Sequence, residues 1–207
     1  MFITFEGLDG SGKTTQVQRL TSWLRTHERE VLPIRDPGST RIGDGVRTIL
    51  HDRANTNIDA KTELLLYCAA RSQLIAEQIQ PSLDKGIIVL SDRFTDSTLA
   101  YQGYARGIDI GFLQGLLKFV TNGLKPDLTI YLDVDPDSAL QRRRASGEEL
   151  NRLDVEAMEF HQRVRDGYHS LIAQAPARWQ VIDAAQTQDQ VAAAIKQAIN
   201  AKLGIAE

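Results

Sequence analysis

The chain has 207 residues, of which 42% are hydrophobic and 25% charged, with a formal net charge of -3 and one cysteine, Cys68. That length suits a single domain with a substantial core, and the ordinary composition excludes a disordered or fibrous chain. The acidic balance argues against a nucleic-acid binder, the lone cysteine against a disulfide framework or a cysteine zinc site, and no apolar run approaches the ~20 residues that span a bilayer. With no basic-plus-apolar signal segment at the N-terminus, a cytoplasmic protein is the expectation.

In chain order, Phe2 to Glu6 reads as a first strand, Lys13 to about His27 as a helix and Val31 to Ile34 as a second strand. A helical pattern follows from Lys61 to Lys85, then a third strand from Ile87 to Ser91 and a helix from Ile110 to Asn122. Leu128 to Asp133 is the fourth strand, Asp137 to Ser146 and Asp154 to Ala175 are helical, Trp179 to Ile182 is the fifth strand, and Gln188 to Leu203 closes with a helix. Apolar strands that alternate with amphipathic helices predict an α/β fold: a five-stranded, mostly parallel sheet with helices on both faces, in one domain over 1–207.

Between the first strand and the first helix, Gly7-Leu8-Asp9-Gly10-Ser11-Gly12-Lys13-Thr14 matches G-x-x-x-x-G-K-[ST] in full, with Thr15 just beyond it. Glycines let successive backbone N–H groups turn inward around a phosphate, and the helix N-terminus adds unpaired donors. Lys13 would reach the β- and γ-phosphates of a nucleoside triphosphate, and Thr14 would offer its hydroxyl to Mg²⁺. The alternative, a glycine-rich turn with an exposed lysine, does not account for the strand before the motif and the helix after it.

A phosphate loop alone does not separate a kinase from a nucleotide switch. Asp92-Arg93 follows the third strand, so both side chains should emerge at the C-terminal edge of the sheet, where Arg93 can bind an acceptor phosphate and Asp92 a magnesium-bound water. A strand-end salt bridge is the structural alternative. Arg35-Asp36-Pro37-Gly38 closes the second strand, and Arg47 lies on a helix-like segment. Tyr67 and Arg71 share a helix face, suited to stacking a base and hydrogen-bonding its edge; a core tyrosine beside a solvent-facing arginine would read the same way. Ser97, Thr98, Tyr101 and Gln102 supply polar groups for a neutral ligand, or form an ordinary polar helix end. Arg142-Arg143-Arg144, with Arg152 beyond, suggests a lid over 142–153 whose arginines enter the site; a solvated basic face pairing with Glu148, Glu149 and Asp154 is the alternative.

Together, the phosphate loop with aspartate in its third position, Arg35-Asp36-Pro37-Gly38, the Tyr67 to Arg71 run, Asp92-Arg93-Phe94 and Ser97-Thr98-Leu99-Ala100-Tyr101-Gln102-Gly103 resemble bacterial thymidylate kinases almost from end to end. The resemblance implies a three-layer P-loop kinase fold, a homodimer, and transfer of a phosphoryl group from ATP to dTMP with Mg²⁺, on the route to dTTP. It implies that Gly7 to Thr15 bind ATP, that Arg93 and Arg47 contact the dTMP phosphate, and that Asp9 sits near the sugar 3′-hydroxyl and the metal held by Thr14 and Asp92. Tyr67 would stack on thymine, Arg71 would meet its O4 edge, and Asp36, Ser97, Thr98 and Gln102 would complete the pocket, with Tyr101 crowding the sugar 2′ position. Because the phosphate loop carries no arginine, the catalytic arginines beside Lys13, Arg93 and Asp9 would come from the lid, as Arg142 and Arg144. Three positions depart from the usual family pattern: Asp36 replaces glutamate and Ser39 a glycine in Arg-Glu-Pro-Gly-Gly-Thr, Tyr67 replaces phenylalanine, and Ser146 stands where a third lid arginine is common. Two rivals remain at this point: another P-loop nucleoside monophosphate or deoxynucleoside kinase, and a nucleotide switch, which would need the Asn-Lys-x-Asp motif that this chain lacks.

Overall fold

The computed structural model describes residues 1–147 and 150–204. Five strands, β1 (Phe2–Glu6), β2 (Val31–Arg35), β3 (Ile88–Asp92), β4 (Leu128–Asp133) and β5 (Trp179–Asp183), form one sheet in the order β2-β3-β1-β4-β5. All four pairings are parallel. The chain moves from β1 outward to β2, returns to β3, then crosses to β4 on the other side of β1. That reversal opens a crevice beyond the C-terminal ends of β1 and β3, the general ligand position in open α/β sheets. Both strands are buried along their whole length, which is why they read as apolar runs rather than alternating ones.

The helices are α1 (Lys13–Thr26), α2 (Arg41–His51), α3 (Ala60–Leu74), α4 (Gln80–Asp84), α5 (Thr95–Thr98), α6 (Ile110–Val120), α7 (Pro136–Ala145), α8 (Met158–Gln174) and α9 (Gln188–Leu203). No helix among the described residues is long and apolar enough to cross a membrane. The periodicity over 61–85 predicts one helix, but the structure has α3, a wide five-residue turn at Ile75–Ile79, and α4. Pro81, with no N–H to return to the preceding turn, stands at the start of the last segment. The predicted helix from Asp154 begins later, at Met158. Helix α2 is absent from the chain-order pattern because Gly43 and Gly45 weaken its propensity; Thr40 starts it by accepting from the Gly43 N–H at 2.9 Å. A second wide turn, Leu99–Ala105, carries the polar run after α5.

Candidate active site

The loop from β1 to α1 needs glycine for steric reasons. A Cβ on Gly7 (φ 142°) would stand 2.6 Å from the Leu132 carbonyl oxygen, and one on Gly10 (φ 85°) would stand 2.1 Å from that of Ala139. Neither position accepts a side chain while the loop lies against β4 and α7. Gly12 caps α1 without a side-chain hydrogen bond, so the first N–H groups of the helix remain for a ligand. Residues Asp9 to Thr15 line one side of a cavity of about 660 Å³, with Gly7 and Leu8 behind them.

Lys13 is buried, its Nζ donating to the carbonyls of Leu8 (2.8 Å) and Gly7 (3.2 Å), with Asp9 Oδ1 at 3.9 Å. Burial, then the Arg93 charge, lowers its pKa to about 8. Thr14 Oγ1 donates to Asp92 Oδ2 at 2.6 Å. Asp92 ends β3 in register with Phe5 and Arg35, which brings it to the mouth of the phosphate loop.

Arg93 follows at φ 75°, a left-handed backbone that costs an arginine about 1–2 kcal/mol. Its N–H donates to the Phe5 carbonyl (2.9 Å), and its own carbonyl accepts from Ser91 Oγ (2.6 Å), so the strained turn is clamped from both sides. The guanidinium donates through NH2 to Asp9 Oδ1 (2.8 Å) and Tyr101 Oη (3.2 Å), and through NH1 to Ser97 Oγ (2.9 Å). It also lies 5.0 Å above the Tyr101 ring. Burial would raise the Asp9 pKa, but Arg93 and Lys13 outweigh it and hold the carboxyl well below the usual range. Asp9 therefore meets any ligand as an anion.

The opposite wall is built on β2, α2, α3 and α5. Asp36 and Arg71 form a buried ion pair through Arg71 Nε and Asp36 Oδ2. Arg71 NH1 reaches Thr98 Oγ1 (2.8 Å), and NH2 reaches the Phe94 carbonyl (3.1 Å). An arginine 1% exposed and fixed at three points is not the solvent-facing side chain of the bland alternative. Burial raises the Asp36 pKa against the pull of Arg71, and Asp36 Oδ1 stays buried without a hydrogen-bond partner among the described residues, an acceptor on the cavity wall. Tyr67 lines the same wall, with no hydrogen bond to its hydroxyl among the described residues. Gln102 gives its amide to Glu63 Oε1 (2.9 Å) and Arg47 NH1 donates to the Pro37 carbonyl (3.2 Å), both on the cavity surface. Ser97 is on this surface too, but its hydroxyl is held between Glu6 and Arg93.

The lid residues divide. Arg142 lines the cavity and donates to the Ala184 carbonyl at 2.7 Å, while Arg143 lines it and pairs with Asp154 at 3.1 Å. Arg144 is exposed and is not among the lining residues. Arg152 is buried, hydrogen-bonded to the Leu50 carbonyl (3.1 Å) and to Glu63, tying this segment to α2 and α3. Residues 148 and 149 of the lid, with the pairings considered for Glu148 and Glu149, lie outside the described residues.

Two residues of interest are absent from the sequence-based site, His51 on the cavity wall and Glu6 buried behind it. His51 lies four residues after Arg47, on the same face of α2, and lines the cavity; burial, then Arg47, lowers its pKa to about 4, so it is neutral at pH 7. The helical spacing was signal enough to find it. Glu6, the single charge in an otherwise uncharged strand, was a second available signal.

Thr14 and Asp92 offer oxygen donors only, which fits Mg²⁺, an ion that takes one or two protein oxygens and completes its shell from phosphate and water. That pair stands beside a glycine cradle, and Arg47, Arg71, Arg93 and Arg142 line the same cavity. Fold and cavity define a P-loop phosphotransferase. A family model described as thymidylate kinase matches residues 5–195. The chain is 46% identical to the thymidylate kinase of Bacillus pumilus, over 92% of this chain and 91% of that one, and 43% identical to that of Trichlorobacter lovleyi, over 99% of each. The crystal structure of thymidylate kinase from Ehrlichia chaffeensis superposes with a TM-score of 0.79 at 36% identity, covering 97% of this chain and 98% of that one. The chain belongs to the thymidylate kinase family.

Proposed function

We propose that this kinase moves the γ-phosphoryl group of ATP to dTMP, giving ADP and dTDP for dTTP synthesis, in one domain closed by the 142–153 lid. The observation that carries this reading is the place of Arg93, whose NH2 is paired with Asp9 of the phosphate loop and with the Tyr101 hydroxyl, while NH1 is held by Ser97 of α5. A cation so placed faces both the donor and the acceptor phosphate and stabilises the charge that spreads over the moving group. Gly7 to Thr15 hold ATP, Lys13 neutralises its β- and γ-phosphates, and Arg142 and Arg144 approach when the lid closes. Thr14 and Asp92 would hold Mg²⁺, which when bound supplies further neutralisation of phosphate charge. Arg47 and Arg93 take the dTMP phosphate, Asp9 the sugar edge, Tyr101 the 2′ side, and Tyr67, Arg71, Thr98, Gln102, Ser97 and Asp36 the base and its surroundings. No side-chain nucleophile is required.

A coupled ADP-release assay over dTMP, dCMP, dGMP and UMP tests the substrate: turnover is expected to be highest with dTMP and to depend on Arg47. Equal or faster turnover of another monophosphate defeats the assignment.

The second part of the proposal is a cytoplasmic homodimer. Ile42 and Ile49 are seven residues apart on α2, Phe112 and Phe119 seven apart on α6, and Leu65 lies on α3, which contacts both helices. All five are large, apolar and exposed, Phe119 at 81%. Such a set supports self-association through this side. Light scattering should give twice the 23.0 kDa chain mass, and Leu65→Arg should return the monomer. A wild-type monomer at micromolar concentration sinks the dimer.

A further inference from the structure

Glu6 ends β1, one residue before the phosphate loop, and is 0% exposed. Its Oε1 accepts the Phe94 N–H at 2.9 Å. Its Oε2 accepts two hydroxyls, Ser97 Oγ at 2.6 Å and Tyr168 Oη at 2.8 Å. Those same hydroxyls receive Arg93 NH1, at 2.9 Å and 3.4 Å, and stand 2.9 Å from each other. A hydroxyl has one hydrogen and two lone pairs. With both hydrogens directed at the carboxylate, lone pairs on both oxygens are left facing the guanidinium. The carboxylate therefore acts on Arg93 through two intermediaries that it orients.

We propose that Glu6 is a positioning residue for phosphoryl transfer: acting through the Ser97 and Tyr168 hydroxyls, its carboxylate fixes the orientation of the Arg93 guanidinium. The inference rests on the role given to Arg93 above. Glu6 is faced by Arg93, by Asp96 of α5, which Arg178 pairs, by Tyr168 of α8 and Ser97, and at longer range by Lys13 and Arg71. Burial, then Asp96, raises its pKa to about 7, opposed by Arg93 and the two hydroxyls. A protonated Glu6 must donate its own hydrogen to one of these hydroxyls, which takes up one of that oxygen's two lone pairs and turns its hydrogen away from the carboxylate, toward the other hydroxyl or Arg93. The hold on the arginine thus weakens as pH falls through this range. Stability runs the other way: a raised acid pKa favours the fold below the ordinary carboxylate range, and that contribution is lost as pH rises to about 7. Replacing the charge with an amide therefore leaves the fold at alkaline pH without a stability penalty from lost ionisation.

The test is Glu6→Gln, measured for kcat, for KM of ATP and of dTMP, and for thermal midpoint between about pH 6 and pH 8.5. The amide keeps shape but donates where the carboxylate accepted, so kcat should fall about tenfold or more at pH 8, as expected for a slightly misplaced catalytic group. ATP affinity and thermal midpoint should stay near wild type, and the rise of kcat through about pH 7 expected of the wild type should be flattened. A wild-type kcat and pH profile overturns the proposal, as does a matching loss of ATP affinity, which would signal general disorder of the loop. If Glu6→Gln does not fold, Tyr168→Phe, which deletes one intermediary hydroxyl, decides alone: a fall in kcat at unchanged ATP affinity supports the proposal, and wild-type kcat overturns it. Arg93→Ala separates the two layers. If that variant is fully active, the role of Arg93 fails and the inference with it; if it is inactive while Glu6→Gln and Tyr168→Phe are normal, only the inference fails.

Discussion

Replacing Arg93 with alanine is expected to lower kcat by about 10³ or more while ATP affinity and the fold survive. The guanidinium joins the two walls of the cavity, and its cationic neighbours are engaged elsewhere: Lys13 donates to the Gly7 and Leu8 carbonyls, Arg47 to the Pro37 carbonyl, and Arg71 is held by Asp36, Thr98 and Phe94. Lysine should not rescue, because NH1 and NH2 serve different partners and a single ammonium cannot present that fork. Glycine offers an informative contrast. At φ 75° a side chain is strained, so Arg93→Gly should be as inactive as Arg93→Ala yet more stable by about 1 kcal/mol. Single-turnover kinetics with urea titrations would check both halves. Activity within about tenfold of wild type would remove Arg93 from the chemistry.

The second large effect concerns stability. Arg178 donates from both ends of its guanidinium to Asp96, at 2.7 Å each, and from NH1 to Thr129 Oγ1 at 2.9 Å. Asp96 is only 3% exposed, so Arg178→Ala leaves a buried carboxylate uncompensated next to the helical turn that carries Ser97 and Thr98. Breaking such a pair costs about 3–5 kcal/mol; because Arg178 itself is 27% exposed and water can partly replace it, the lower end is expected, near 3 kcal/mol. For a chain of this size that is a fall in Tm of about 6–12 °C. The double variant Asp96→Asn with Arg178→Met should recover part of the loss, since neither charge is then left alone. A loss under about 1 kcal/mol for Arg178→Ala would mean that Asp96 is solvated after all.

Much of this site was readable along the chain. The phosphate loop is a local object: glycine spacing, a strand before it and a helix after it determine its shape, and the structure adds only the close approach of Leu132 and Ala139 that makes Gly7 and Gly10 obligatory. Asp92 and Arg93 were readable for the same reason, because a strand's length and polarity fix which residues leave the sheet at its C-terminal edge. Helix α2 was harder, since two glycines blur the periodicity that Ile42 and Ile49 would otherwise announce.

Charged residues are where the linear reading ran out. Three arginines in a row and Arg152 look alike as sequence, yet Arg142 and Arg143 line the cavity, Arg144 does not, and Arg152 is buried against Glu63, 89 residues away. Arg71 could be assigned a helix face but not its partner, because Asp36 lies 35 residues earlier, just past the end of β2. Glu6 depends on Tyr168, which is 162 residues distant. By itself the sequence determined the phosphate loop, the five strands and the residues at their C-terminal ends, because backbone dihedrals and side-chain period act over a few residues. Only the tertiary structure decided which cations face the crevice, which are neutralised by distant carboxylates, and that a buried glutamate stands behind Arg93. Those outcomes follow from desolvation and charge pairing between segments that meet only once the sheet has formed.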